Sequence, residues 1–175
     1  GMQAGLPDGV LNVVTGDASM IGQVFCMHPL VRKISFTGST TVGKILSQQA
    51  APYLKKLSLE LGGNAPFIIF ESFDIEEAIE KLLEAKIRNT GQTCVSANRV
   101  YVHDSLHDAF VSQLADTLKK IKMGDGHHED VRLGPLIDEN AVTKVSLMVQ
   151  EAISSGAKCL LGGRKSSLGE SFYEL

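Results

Sequence analysis

The 175 residues include 17 Lys and Arg against 20 Asp and Glu, for a net charge of −3, and 43% of them are apolar. That apolar share suffices for a packed core, and the lack of a basic block removes the footprint of a nucleic-acid or anionic-membrane partner. No apolar run nears the ~20 residues that span a bilayer, and the start lacks the charged and apolar regions of a signal peptide.

In chain order, residues 11–14 read as a short strand ended by Thr15-Gly16-Asp17, and Ile21, Val24 and Phe25 then recur at helical spacing up to His28-Pro29. Residues 33–36 form a second β-type run, ended by Thr37-Gly38-Ser39. Val42, Ile45 and Leu46 begin a helix that stops before Pro52, and 56–60 alternate as a third strand. Strands separated by helices with short links predict a parallel α/β sheet, with ligands bound where the strand C-termini collect. Gly62-Gly63-Asn64 marks the expected domain boundary, two glycines allowing a sharp change of direction.

Beyond it, 66–70 read as a buried strand. Asp74 is placed to cap a helix, with Glu77 three residues on, whose apolar face is Ile75, Ala78, Ile79, Leu82, Leu83 and Ile87. A strand at 99–102 precedes a helix over 105–121 with Phe110, Leu114 and Leu118 inward. Asp138 caps a last helix that turns Ala141, Val142, Val145, Met148, Val149, Ala152 and Ile153 inward and stops at Gly156. Residues 158–161 close the pattern as a strand. Gly1 before Met2 reads as a tag remnant, and the end at Leu175 as a cut, so an internal fragment of a longer protein is expected.

Three cysteines, Cys26, Cys94 and Cys159, with no CxxC pair argue against a disulfide framework and for a reducing cytoplasm. The same lack of spacing argues against metal, and His127-His128 has no nearby Cys to complete a ligand set. Cys94 falls in the connection Asn89-Thr90-Gly91-Gln92-Thr93-Cys94, where a thiol could be presented to a substrate; on the residues alone, a buried and inert cysteine is the commoner fate of a lone Cys. Glu60 ends an apolar strand, where burial would make it a general base, or it could be a surface carboxylate.

Leu6-Pro7-Asp8-Gly9-Val10-Leu11-Asn12-Val13-Val14, Phe36-Thr37-Gly38-Ser39, Leu59-Glu60-Leu61-Gly62-Gly63-Asn64 and Gly91-Gln92-Thr93-Cys94 stand in the order found in the aldehyde dehydrogenase superfamily, which the chain resembles over nearly its whole length. The 34-residue separation of Glu60 and Cys94 suits that family. The resemblance implies an α/β fold in which residues 1–61 are the C-terminal part of a Rossmann-like NAD(P)-binding domain. Residues 62–175 would then be the N-terminal part of the catalytic domain.

It implies that the Cys94 thiolate attacks an aldehyde to form a thiohemiacetal, that hydride leaves to NAD or NADP, and that water hydrolyses the thioester. Glu60 would be the base for that water, and the Cys94 N–H half of an oxyanion hole. Gly38, Ser39, Val42, Gly43, Leu61, Gly62 and Gly16 would contact the cofactor, Ser39 donating its hydroxyl and Val42 flanking the adenine. The remaining Asn, Lys and Glu of the family's site are expected outside this sequence, so the chain alone should be inactive. A homodimer or homotetramer is implied for the whole enzyme.

Arg88, six residues before Cys94, matches the place where succinate-semialdehyde dehydrogenases hold the substrate carboxylate; Gly162-Gly163-Arg164, Leu168-Gly169 and Phe172 also look like that subfamily. On side-chain logic alone, Arg88 could instead be a solvated residue complementing a helix C-terminus. Ser96 stands where several members carry a second cysteine, which rules out a redox pair with Cys94. Two rival readings stand beside this one. Residues 38–44 approach a phosphate-loop motif, but Ile45 stands where Ser or Thr must hold Mg²⁺, so a nucleotide triphosphatase is rejected. A non-catalytic structural remnant of the fold is the other.

Overall fold

Local capping starts the helices where acidic residues predict it. The computed structural model describes residues 2–175. Asp74 Oδ1 accepts from the Glu77 N–H at 2.9 Å, and Asp138 Oδ1 from the Ala141 N–H at 2.8 Å, each supplying a partner for a donor the helix cannot satisfy. At the other end, Gly156 takes φ +98, its N–H donates to the Ile153 carbonyl, and the Ala157 N–H reaches back to Ala152. This is the paired closure that a left-handed glycine permits.

The chain divides into two compact units, Gly1–Gly62 and Gly63–Leu175. The first contains α1 (Ala18–Met27), β1 (Lys33–Thr37), α2 (Thr40–Ala50) and β2 (Lys56–Glu60). β1 and β2 pair in parallel, Lys33 opposite Lys56 and Thr37 opposite Glu60, so their C-terminal ends share one edge. The expected strand–helix–strand order over 33–60 therefore forms, and its core is Cys26, Ile34, Leu46 and Ala50, flanked by Val31, Phe36 and Leu57.

The inward faces of both helices differ from the periodicity reading. α2 buries Gly43, Leu46 and Ala50, while Val42 and Ile45 are exposed. A Cβ at Gly43 would lie 2.7 Å from Leu61 Cδ2, so only glycine lets the helix settle against that side chain, and the inward stripe rotates to follow. In α1, Cys26 is the buried residue, and Val24 and Phe25 face outward.

The second unit contains β3 (Ala65–Ile69), α3 (Ile75–Ile87), β4 (Ala97–Val102), α4 (Asp104–Leu118) and α5 (Glu139–Ser154). β3 and β4 pair in parallel, with a register shift between Ala65 and Pro66. Its core joins Ile69, Ala78, Ile79, Leu82, Ala97 and Phe110. The α3 face agrees with its periodicity. In α5 only Val142 is fully buried, while Met148 and Ile153 are exposed.

Two expected strands do not form. Residues 11–14 and 158–161 are irregular and mostly exposed. A strand exists only with a hydrogen-bonded neighbour, and among the described residues neither run has one. No helix among the described residues is long and apolar enough to cross a membrane.

Candidate functional site

In the first unit, the edge shared by the β1 and β2 C-termini gathers most of the sequence-predicted cofactor residues. The Gly38 N–H donates to the Glu60 carbonyl at 3.0 Å, which brings the Gly38 turn beside the end of β2. A Cβ at Gly38 would lie 2.4 Å from Phe36 Cζ, so the aromatic ring occupies the space that glycine leaves. Ser39 is the N-cap of α2: its Oγ accepts from the Val42 N–H at 3.2 Å and its carbonyl from the Gly43 N–H at 3.0 Å.

Those two bonds use up the Val42 and Gly43 donors. The N–H groups of Thr40 and Thr41 donate to nothing among the described residues, and with the helix dipole behind them they suit an anion. The Ser39 hydroxyl proton is free to donate as well. Leu61 packs over Gly43, Gly62 lies near the Thr40 hydroxyl, and Val42 is exposed on the helix. Gly16 stands apart, before the Asp17 cap of α1, and no hydrogen bond joins it to the turn among the described residues. Glu60 is exposed within this unit, so the burial expected of it is not found.

In the second unit, α3 ends at Ile87 with Arg88 as its C-cap, and a short 3₁₀ turn over Arg88–Gly91 leads to Cys94. Asn89, Thr90 and Gly91 all take positive φ, at 51, 58 and 73°. For Asn and Gly this is tolerable; for a β-branched Thr it is strained. The Ser96 N–H then closes on the Thr93 carbonyl at 3.2 Å, leaving Cys94 exposed within a tight turn. Among the described residues the Cys94 N–H donates to no acceptor and the thiol has no hydrogen-bond partner.

The other thiols differ. Cys26 is fully buried, and burial raises its pKa, with Lys55 pulling it back down. Cys159 Sγ donates to the Leu161 carbonyl at 3.3 Å. Arg88 is exposed, and among the described residues its guanidinium makes no ion pair or hydrogen bond.

Three features of this unit had no signal in the sequence. Gly63 presses on the Cys94 carbonyl, because a Cβ there would lie 2.3 Å from that oxygen. The Gln92 side chain reaches Ile137 across 45 residues of chain. The Ser96 hydroxyl is wholly buried and has no hydrogen-bond partner among the described residues. A buried hydroxyl without a partner costs about 1–3 kcal/mol, so Ser96→Ala should raise the unfolding free energy of the enzyme by about 1 kcal/mol or leave it unchanged. Urea unfolding reads this, and a loss of more than about 1 kcal/mol would reveal a partner for the hydroxyl.

Among the described residues no three His, Cys, Asp or Glu side chains gather as a metal site. His127 Nδ1 sits 2.7 Å from Asp125 Oδ1 in an exposed loop.

Residues 2–174 match a model of the aldehyde dehydrogenase family. The chain is 52% identical, over 99% of its length, to a mitochondrial succinate-semialdehyde dehydrogenase of Arabidopsis thaliana, of which it covers 33%. It is 51% identical, over 98% of its length, to a 3-sulfolactaldehyde dehydrogenase of Pseudomonas putida, of which it covers 35%. The crystal structure of a succinate-semialdehyde dehydrogenase from Burkholderia pseudomallei superposes with a TM-score of 0.94 at 49% identity, over 99% of this chain and 36% of that one. The chain thus spans about a third of the length of these relatives. With the Cys94 turn, the Ser39-capped helix and a family match over nearly every residue, the chain belongs to the aldehyde dehydrogenase family.

Proposed function

We propose that this chain is part of an NAD- or NADP-dependent enzyme that oxidises an aldehyde to a carboxylic acid, with succinate semialdehyde as the leading substrate. The observation that carries this reading is Cys94: an exposed thiol in a braced turn, with its own N–H unengaged among the described residues. Its thiolate adds to the aldehyde carbon to give a thiohemiacetal, and the Cys94 N–H donates to the oxyanion that forms. Glu60 takes the proton of the water that opens the thioester and frees the acid.

The residues at the β1/β2 edge fit a dinucleotide. Thr40 and Thr41 N–H groups and the Ser39 hydroxyl suit its pyrophosphate, Val42 its adenine, and Gly38, Gly43, Leu61 and Gly62 shape the turn around it. Gly16 joins this set by family resemblance alone, since among the described residues no hydrogen bond ties it to the turn. When bound, the nicotinamide supplies the hydride acceptor. Residues 1–61 would be part of the cofactor domain and 62–175 part of the catalytic domain. We read the whole enzyme as a homodimer or homotetramer by family resemblance, and as cytoplasmic because three cysteines without a CxxC pair suit a reducing compartment.

Arg88 selects the substrate in this reading. Its guanidinium is free on the exposed end of α3, six residues from the nucleophile, and could grip a terminal carboxylate bidentately. The relative named for 3-sulfolactaldehyde supports a second reading, in which the anion is a sulfonate. In the full-length enzyme, Arg88→Leu should raise KM for succinate semialdehyde about 10- to 100-fold, the worth of a charged hydrogen bond, and change KM for hexanal less than about threefold. NAD(P)H absorbance reads both values. Equal effects on the two substrates would remove the assignment, and a larger effect on a sulfonated aldehyde would favour the second reading.

A further inference from the structure

We propose that Gln92 is a positioning residue for Cys94, tying the turn that carries the thiol to the 134–137 segment. This rests on the reading of Cys94 as nucleophile.

Gln92 Oε1 accepts from the Ile137 N–H at 2.9 Å, and Nε2 donates to the Asn89 carbonyl at 3.2 Å. Its backbone takes part too: the Gln92 N–H donates to the Asn89 carbonyl at 3.1 Å, and its own carbonyl accepts from Asn89 Nδ2 at 3.2 Å. Every polar group of this one residue is therefore engaged within the turn or across to the neighbouring segment.

The turn needs such a tie. Asn89 and Thr90 both sit at positive φ, and a strained backbone persists only where its surroundings over-determine it. The link between the two segments is polar and sparse. A cleft of about 770 Å³ lies against them, lined by Asn89, Thr90, Gln92, Arg132, Leu136 and Ile137 among others. Among the described residues, the one other side-chain hydrogen bond that spans the segments is from Thr90 Oγ1 to the Gly134 carbonyl, at a long 3.4 Å. The far segment is itself anchored, because the Leu136 N–H donates to the Ser171 carbonyl at 2.8 Å. Gln92 thus transmits a fixed reference point to a strained turn that begins four residues before the nucleophile's own hydrogen-bonded turn.

The test uses the full-length enzyme and two variants. Gln92→Leu keeps the size and loses both side-chain bonds, while Gln92→Glu keeps an acceptor for the Ile137 N–H. Gln92→Leu should lower kcat by about tenfold or more, as a small misplacement of a reacting group does, with KM within about twofold. Gln92→Glu should return kcat to within about threefold of the parent, since its acceptor restores the tie to Ile137. A residue that only supported folding would instead shift the melting temperature of both variants and leave kcat per folded molecule unchanged.

A kcat for Gln92→Leu within twofold of the parent overturns the proposal, as does equal damage in Gln92→Glu. If Gln92→Leu does not fold, Gln92→Asn, one methylene too short to reach Ile137, takes its place with the same expectations. Cys94→Ala separates the two readings. Turnover that survives Cys94→Ala refutes the nucleophile itself, whereas its loss together with a normal Gln92→Leu refutes only the tie.

Discussion

Cys94→Ala should lower kcat/KM for aldehyde oxidation by the full-length enzyme by at least about 10³-fold, equivalent to roughly 4 kcal/mol of transition-state stabilisation. The loss is large because no other thiol lies in this turn and its hydroxyls are weaker nucleophiles, Ser96 wholly buried and Thr93 half-buried, while the Cys94 thiol is exposed. The fold should be unaffected, since an exposed thiol without a hydrogen-bond partner among the described residues contributes little packing.

Alkylation gives an independent check. Cys26 is buried with a raised pKa, and Cys159 donates its S–H to a carbonyl, so both should react with iodoacetamide more slowly than Cys94. Mass spectrometry of the labelled peptides reads the order. Residual turnover within tenfold of the parent in Cys94→Ala, or labelling led by Cys159, would be incompatible with the nucleophile.

Gly63→Ala has the second largest expected effect, a fall in kcat of about 100-fold. The backbone conformation of Gly63 is not left-handed, so alanine is excluded by space and not by φ. Its Cβ would lie 2.3 Å from the Cys94 carbonyl oxygen and 3.5 Å from the carbonyl carbon, and a backbone oxygen cannot rotate away. The 63–64 segment is held in turn, by Asn98 Nδ2 on the Gly63 carbonyl at 3.1 Å and by Arg99 on the Asn64 carbonyl at 3.0 Å.

The strain therefore falls on the Cys94 turn, which must shift by about 1 Å, a displacement that can cost about two orders of magnitude in rate. Overpacking should also lower stability by about 1–3 kcal/mol. Steady-state kinetics and Cys94 alkylation on the same preparation test this. A Gly63→Ala enzyme with parental kcat would mean that the turn can move without consequence.

Much of the local architecture could be read directly from the chain. Asp74, Asp138 and Gly156 act through bonds to residues three to five positions away, and such bonds depend on sequence neighbours alone. The α3 face was equally legible, because a regular apolar stripe at helical spacing has one way to face a core. The family motifs around Glu60 and Cys94 belong to the same category, being short, ordered and local.

What needed the tertiary structure was whatever depends on a distant partner. Which side of α2 faces inward followed from Gly43 meeting Leu61, and the failure of 11–14 and 158–161 to become strands followed from the lack of a neighbour among the described residues. Glu60 ends an apolar run and yet is exposed in its unit, since burial is set by what packs over a residue and not by its flanks. Gly63 looked like a flexible joint; it is a contact surface for a carbonyl 31 residues later in the chain. Gln92 has no role readable from its place in the Gly91-Gln92-Thr93-Cys94 motif, and its bond to Ile137 spans 45 residues. Sequence determined the caps, the α3 face and the motif that carries Cys94, because these are read over a few residues. Only the fold decided what holds that thiol in place, because packing and hydrogen bonding across the chain have no periodicity to read.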